Sequence, residues 1–301
     1  MPPIPPPRES GYTTRTPVPL YWCAYGPTGA RRLLVLHGGP GADHQYLLPQ
    51  MLALADEHEL LFYDQRGGGK SRTDDPTPIT WQTHVEDMAA VAAELELGAP
   101  ELLGYSWGGL LAMLYAAETA RADGSRPPAP TSMILIDPAP VTREYRAQFE
   151  AEFSRRQQSE PIQRLRAELA ASDLRERDPE AYRHRAFELS VAGYFADPER
   201  ARDLTPFRVI GRVQQSVWGS LGDFDLQSQL RQVRLPAIVI HGREDPIPLA
   251  SSEVAADALG ARLVVIDDCG HVPYVEQPQS LFDAIREFLT ESSPLPRREV
   301  P

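Results

Sequence analysis

Several things are scarce in this sequence, and each scarcity excludes something. Cysteine occurs only at Cys23 and Cys269, too seldom for a disulfide framework and without metal-ligand spacing. Both therefore read as reduced thiols, and no metal or other cofactor is expected. Positive charge is in deficit: 30 Lys+Arg stand against 42 Asp+Glu, and the net charge of -12 removes the basic footprint that nucleic-acid binding needs. No window reaches the ~18 apolar residues of a membrane span, and Met1 to Arg8 has no apolar h-region. The expectation is a cytoplasmic protein with a small-molecule or short-peptide substrate and neither nucleic acid nor membrane as partner. Oligomeric state is not legible. The proline-rich first ten residues and the tail Ser292 to Arg298 are expected to be mobile and extended.

What is present suits a packed core. The chain has 301 residues, 42% of them hydrophobic, enough for one large α/β domain or a core domain with an insertion. Leu33–Leu36, Leu60–Tyr63, Met133–Ile136, Ile238–Ile240 and Leu263–Ile266 are apolar without alternation, as strands buried on both faces of a parallel sheet are. Val18–Tyr25 alternates and reads as an antiparallel edge strand. Helical segments fall between the strands. One starts behind Thr80, places Val85, Met88, Ala89, Ala92 and Leu95 at helical spacing, and stops before Gly98; two others span Ser251–Leu259 and Gln279–Leu289. The alternation predicts a doubly wound, mostly parallel sheet. Residues 138–235 break it with Arg- and Glu-rich helical stretches and no strand, which predicts a helical cap inserted into a core of residues 1–137 and 236–301.

The stretch Asp64-Gln65-Arg66-Gly67-Gly68-Gly69-Lys70-Ser71 invites comparison with a phosphate-binding loop. That loop needs a glycine five residues before its Gly-Lys, and Asp64 stands there instead; Pro76 and Pro78 also keep a helix from starting on time. Phosphate binding is rejected.

Gly104-Tyr105-Ser106-Trp107-Gly108 is a better signal. A strand that turns sharply into a helix at a serine presents its Oγ on a strained backbone, with glycines on either side for close passage. A serine needs a base and the base an orienting acid, in the chain order Ser, Asp, His for this architecture. Asp245 follows the run Ile238–Ile240, and His271 follows Leu263–Ile266, both at carboxyl ends of strands where open α/β sheets build their sites. Asp137 is the competing acid, disfavoured by Pro138. Glu244 and Asp267 read as solvated or structural, His241 as a satisfied core histidine, and His44, His58, His84 and His184 as surface residues. Oxyanion donors are expected from the backbone N–H of Trp107 and from Gly39 in His37-Gly38-Gly39-Pro40-Gly41.

In order, HGGPG, DQRGGGKS, GYSWGG, GREDPIPL and CGHVPYVEQP resemble the proline iminopeptidase (prolyl aminopeptidase) family of α/β hydrolases over residues 29–120 and 235–289. The resemblance implies an α/β-hydrolase fold, Ser106, Asp245 and His271 as triad, and Gly39 and Trp107 as oxyanion donors. It further implies cleavage of an N-terminal aminoacyl amide through an acyl-enzyme, and it places Asp64 and Arg66 near the oxyanion loop as a structural Asp/Arg pair. The chain departs from the family at the elbow, where Tyr105 replaces a glycine, and at Pro246, where some members carry a glutamate for the substrate amine. Glu152, Glu160, Glu168, Glu180 and Glu188 are the available substitutes in the cap. A carboxylesterase or lactonase acting on small esters is the alternative, and a non-catalytic hydrolase-like binding protein the second alternative.

Overall fold

The computed structural model describes residues 3–75, 77–120 and 127–292. Expectations touching Met1, Pro2, Pro76 and residues 293–298 lie outside the described residues. Eight strands form one sheet: β1 (Glu9–Tyr12), β2 (Tyr21–Tyr25), β3 (Arg31–Leu36), β4 (His58–Tyr63), β5 (Glu101–Tyr105), β6 (Ser132–Ile136), β7 (Ala237–Gly242) and β8 (Arg262–Ile266). Their order is β1-β2-β4-β3-β5-β6-β7-β8. The two pairings of β2 are antiparallel and all others parallel.

Because successive strand residues face opposite sides, the apolar runs divide between two core layers. Leu34, Leu36, Leu61, Leu102, Met133, Leu135 and Val239 belong to one layer. Leu33, Val35, Leu60, Leu103, Ile134, Ile136, Ile238 and Ile240 belong to the other. Burial on both faces is why these strands show no alternation in sequence.

Two expectations at the antiparallel end are corrected. The run around β2 is interior, flanked by β1 and β4, and β1 is the edge. Glu9 and Ser10, expected to be mobile, pair with Ala24 and Cys23. Pairing across the sheet, invisible in a local proline-rich window, orders that segment.

Helices α1 (Trp81–Glu94), α2 (Trp107–Ala120), α9 (Leu249–Leu259) and α11 (Pro278–Glu291) accompany the sheet. Thr80 caps α1, accepting from Thr83 N at 3.2 Å. Between β6 and β7 lie α3 (Arg143–Gln157), α4 (Glu160–Ala171), α5 (Leu174–Arg177), α6 (Pro179–Val191), α7 (Gly211–Leu221) and α8 (Gln227–Leu230), with no strand. The short α10 (Pro273–Glu276) precedes α11. Towards the end of the inserted block Val213, Val217, Phe224, Leu226, Leu230 and Val233 pack into one of the two core layers of the sheet. No described helix is long and apolar enough to cross a membrane.

Candidate active site

Ser106 sits between β5 and α2 at φ +54°, a conformation a non-glycine residue adopts only where its surroundings impose it. The surroundings are visible. A Cβ at Gly104 would lie 2.4 Å from Gly108 O, and one at Gly108 would lie 2.0 Å from Leu36 O, so only glycines let the turn close this tightly against β3. Ser106 N donates to Ile136 O at 2.9 Å, tying the elbow to β6.

His271 and Asp245 come to Ser106 from the loops after β8 and β7. Ser106 Oγ lies 3.0 Å from His271 Nε2. On the other side of the ring, His271 Nδ1 lies 2.7 Å from Asp245 Oδ2. Those partners assign the tautomer: Nδ1–H donates to the carboxylate and Nε2 accepts from the serine hydroxyl. Asp245 Oδ1 also accepts from Ile247 N at 2.7 Å. The imidazole is held from the cap as well, since His271 N donates to Tyr194 O at 2.7 Å and the Tyr194 ring stacks on it at 5.1 Å. Tyr105 Oη donates to His271 O at 2.8 Å, so the residue standing where the family has glycine braces the base loop. Burial pushes His271 down to about 4, which leaves Nε2 unprotonated at neutral pH.

Asp137 lies beside this chain, not in it. It ends β6 at φ +41°, its Oδ1 accepts from Gly242 N at 2.8 Å, and no donor reaches its buried Oδ2 among the described residues. One side-chain atom each of Asp137, Asp245 and His241 lies within 4.8 Å of the others. Burial first, then the Asp245 charge, pushes the Asp137 carboxyl well above the usual carboxylate range. Burial raises Asp245 too, to about 8, against hydrogen bonds with Asp137 and Ile247 N that pull it down. Two carboxylates this close do not both ionise in a dry site, so the pair shares a proton, held on Asp137. His241 is satisfied by Ser252 Oγ at 2.9 Å and Ile247 O at 3.2 Å.

The glycine-rich loop after β3 passes beside Ser106. Gly38 N–H is spent on Tyr46 Oη at 2.6 Å, whereas the N–H groups of Gly39 and Trp107 have no acceptor among the described residues. Gln65, which sequence reasoning missed, joins the two. Its backbone N donates to His37 Nε2 at 3.0 Å, its Nε2 donates to His37 O at 2.8 Å, and its Oε1 accepts from Trp107 Nε1 at 2.7 Å. A neutral amide carries no chemical signature in sequence; its place inside the DQR motif was the available signal.

The neighbours of Gln65 correct the expected Asp/Arg pair. Asp64 does not meet Arg66. It accepts from His44 Nδ1 at 2.7 Å and Lys70 N at 2.8 Å, while Arg66 Nε donates to Asp87 of α1 at 2.8 Å. His44, His58 and His84, expected on the surface, are buried. Burial opposes charge on His44, but its hydrogen bonds to Asp64 and Cys23 outweigh that and raise it to about 10. Burial, with the charges of His37 and Arg66, pushes His84 down to about 3. The face of α1 that carries His84 and Asp87 packs inward because Trp107 and Arg66 meet it there. Glu244 accepts from Cys269 N at 2.9 Å, and exposed Asp267 pairs with Arg243.

Between Ser106 and the helices inserted after β6 lies a cavity of two lobes that share Gly39, Ser106, Phe153, Tyr194, Gln214 and His271. The inner lobe, about 340 Å³, is walled by Tyr46, Tyr105, Phe187, Phe207, Val272 and Tyr274 and contains no Asp, Glu, Lys or Arg side chain. The larger, about 700 Å³, adds Arg143, Arg146, Glu150 and Trp218. None of Glu152, Glu160, Glu168, Glu180 and Glu188 lines either lobe. Glu152 is held by Arg156 at 2.8 Å, and Glu188 by Arg185 at 2.5 Å in a separate cleft.

Residues 33–284 match the alpha/beta hydrolase family. This chain belongs to that family. Among its relatives, the proline iminopeptidase of Lactobacillus crispatus (strain ST1) is 27% identical over 284 residues, spanning 86% of this chain and 90% of its own. The crystal structure of a proline iminopeptidase from Mycobacterium smegmatis superposes with a TM-score of 0.68 at 22% identity, covering 94% of this chain and 98% of its own. A thermophilic esterase from Thermogutta terrifontis superposes with a TM-score of 0.61 at 27% identity, covering 94% and 99%. The sheet with its intervening helices is the alpha/beta hydrolase fold expected from the sequence, and the proline iminopeptidase resemblance extends over most of the chain.

Proposed function

We propose that this alpha/beta hydrolase is a serine hydrolase that transfers an uncharged, apolar acyl group to Ser106 and then to water. His271 Nε2 takes the hydroxyl proton as Ser106 Oγ attacks an ester, lactone or amide carbonyl. The N–H groups of Gly39 and Trp107 receive the developing oxyanion, each contributing about 2.7–4 kcal/mol. His271 then passes the proton to the leaving oxygen or nitrogen, and a second cycle with water releases the acid.

The observation that carries this reading is the hydrogen-bonded series Ser106, His271, Asp245 under an inner lobe with no carboxylate. An aminoacyl substrate would bring an ammonium group into that lobe, where an unpaired charge is costly. The aminopeptidase reading keeps one observation in its favour, the 27% identity to a proline iminopeptidase across most of both chains. A panel of short-acyl esters against proline and alanine arylamides separates the two. Esters are expected to turn over well ahead of the arylamides; efficient cleavage of prolyl arylamide would reverse the order. A fluorophosphonate probe tests the shared premise, and failure to label Ser106 in folded protein would support a non-catalytic binding role instead.

A further inference from the structure

Resting on that hydrolase reading, we propose that the larger lobe receives the leaving part of the substrate and that this part carries an anionic group, a carboxylate being the chemistry that fits. In a chain of net charge -12, the lining of this lobe is reversed: Arg143 and Arg146 stand against a single acid, Glu150. The reversal comes from α3. This 15-residue helix has no buried residue, because the face carrying Arg143, Arg146, Ala147, Glu150 and Phe153, at three- and four-residue steps, looks into the cavity and not into a core. Arg146 is fixed over the Trp218 ring, 4.2 Å from its centroid, and bridged to Glu150 at 2.8 Å. Glu150 thus offsets one guanidinium. Arg143 has no carboxylate within ion-pair distance among the described residues, although it also borders a neighbouring cleft with Glu144, Asp223 and Asp225; within the lobe's own lining one positive charge is left over. The inner lobe has no charged side chain, His271 being neutral at neutral pH, which places the substrate's charge on the leaving side and its apolar part on the acyl side.

The test uses three butyrate esters, 4-(carboxymethyl)phenyl, 4-(carbamoylmethyl)phenyl and 4-(trimethylammoniomethyl)phenyl butyrate, each kcat/KM divided by that ester's own hydroxide rate constant, together with monophenyl succinate, whose charge is on the acyl side. At low ionic strength kcat/KM is expected to fall about fivefold from the anionic to the neutral leaving group and further for the cationic one, as partly exposed charges allow. The preference shrinks as salt is added. Arg143→Gln lowers only the anionic butyrate, and Arg143→Glu reverses the order; Arg143 is exposed, so these variants keep the test intact if Arg146→Gln misfolds. Equal kcat/KM for the three butyrates, a preference that survives Arg143→Gln with Arg146→Gln, or an Arg143-dependent preference for the succinate overturns the inference. Absence of both neutral-ester turnover and Ser106 labelling would instead overturn the hydrolase reading beneath it.

Discussion

Gln65 Oε1 accepts a hydrogen bond from Trp107 Nε1 at 2.7 Å, joining the loop after β4 to the residue that follows the elbow serine. The same side chain donates to His37 O, so one amide spaces the two backbone segments that carry the proposed oxyanion donors, Gly39 and Trp107. Removing that spacer leaves both N–H groups present but less well aimed.

Gln65→Ala is therefore expected to lower kcat about tenfold with little change in KM, since positioning is realised mainly in the transition state. Trp107→Phe removes the same bond from the other end. The double variant, measured as a cycle of kcat/KM, should lose clearly less than the sum of the two; full additivity would mean that the side chains act separately.

The acid limb of kcat/KM follows His271. Its folded value of about 4 lies below the ordinary histidine range because burial disfavours the imidazolium, so the free base persists as pH falls. Activity at pH 5 should remain close to that at pH 7 on a neutral ester. A limb centred near pH 6.5 would show that solvent reaches the ring.

Asp137→Asn keeps a donor toward Asp245 and should retain most of kcat with an unchanged acid limb, because Asp137 is neutral in the wild type. Asp245→Asn removes the carboxylate that fixes the His271 tautomer and should cost about 10⁴ in kcat. If Asp137→Asn shifted the acid limb downward, Asp137 would be ionised in the native protein.

His84 makes stability acid-sensitive. With a folded value of about 3, it stays neutral while the unfolded chain takes up a proton below about 6.5. The contribution is full above that pH and is lost as pH falls toward 3, by up to about 1.4 kcal/mol per unit. Urea midpoints at pH 7 and pH 5 should separate less for His84→Phe than for the wild type. Equal separation would assign the acid sensitivity to other groups.

Arg66→Ala leaves the buried Asp87 carboxyl of α1 without its partner, at a cost of about 3 kcal/mol or more. Thermal unfolding should reveal the loss, with the ranking of ester substrates unchanged. Altered ranking at unchanged stability would move Arg66 from scaffold to specificity.

Strand content was legible because both faces of the parallel strands are buried, which removes alternation and leaves bare runs such as Met133–Ile136. The order of Ser106, Asp245 and His271 was legible because the elbow and the strand ends each have a local signature. Asp137 was read as a rival acid; only the packing of β6 against β7 shows it behind Asp245. His84 was read as a surface residue because its partner Trp107, like Arg66, which meets the neighbouring Asp87, is distant in sequence. The charge of the cavity was hidden for a related reason. A helix as polar as α3 reveals a preferred face only when something stands opposite it.

The bond from His271 N to Tyr194 O gives the proposed base an anchor in the helical block between β6 and β7. Cap and chemistry are then not independent modules. Exchanging residues 138–235 for a relative's would then alter turnover together with substrate choice, because the imidazole would lose the anchor that Tyr194 supplies.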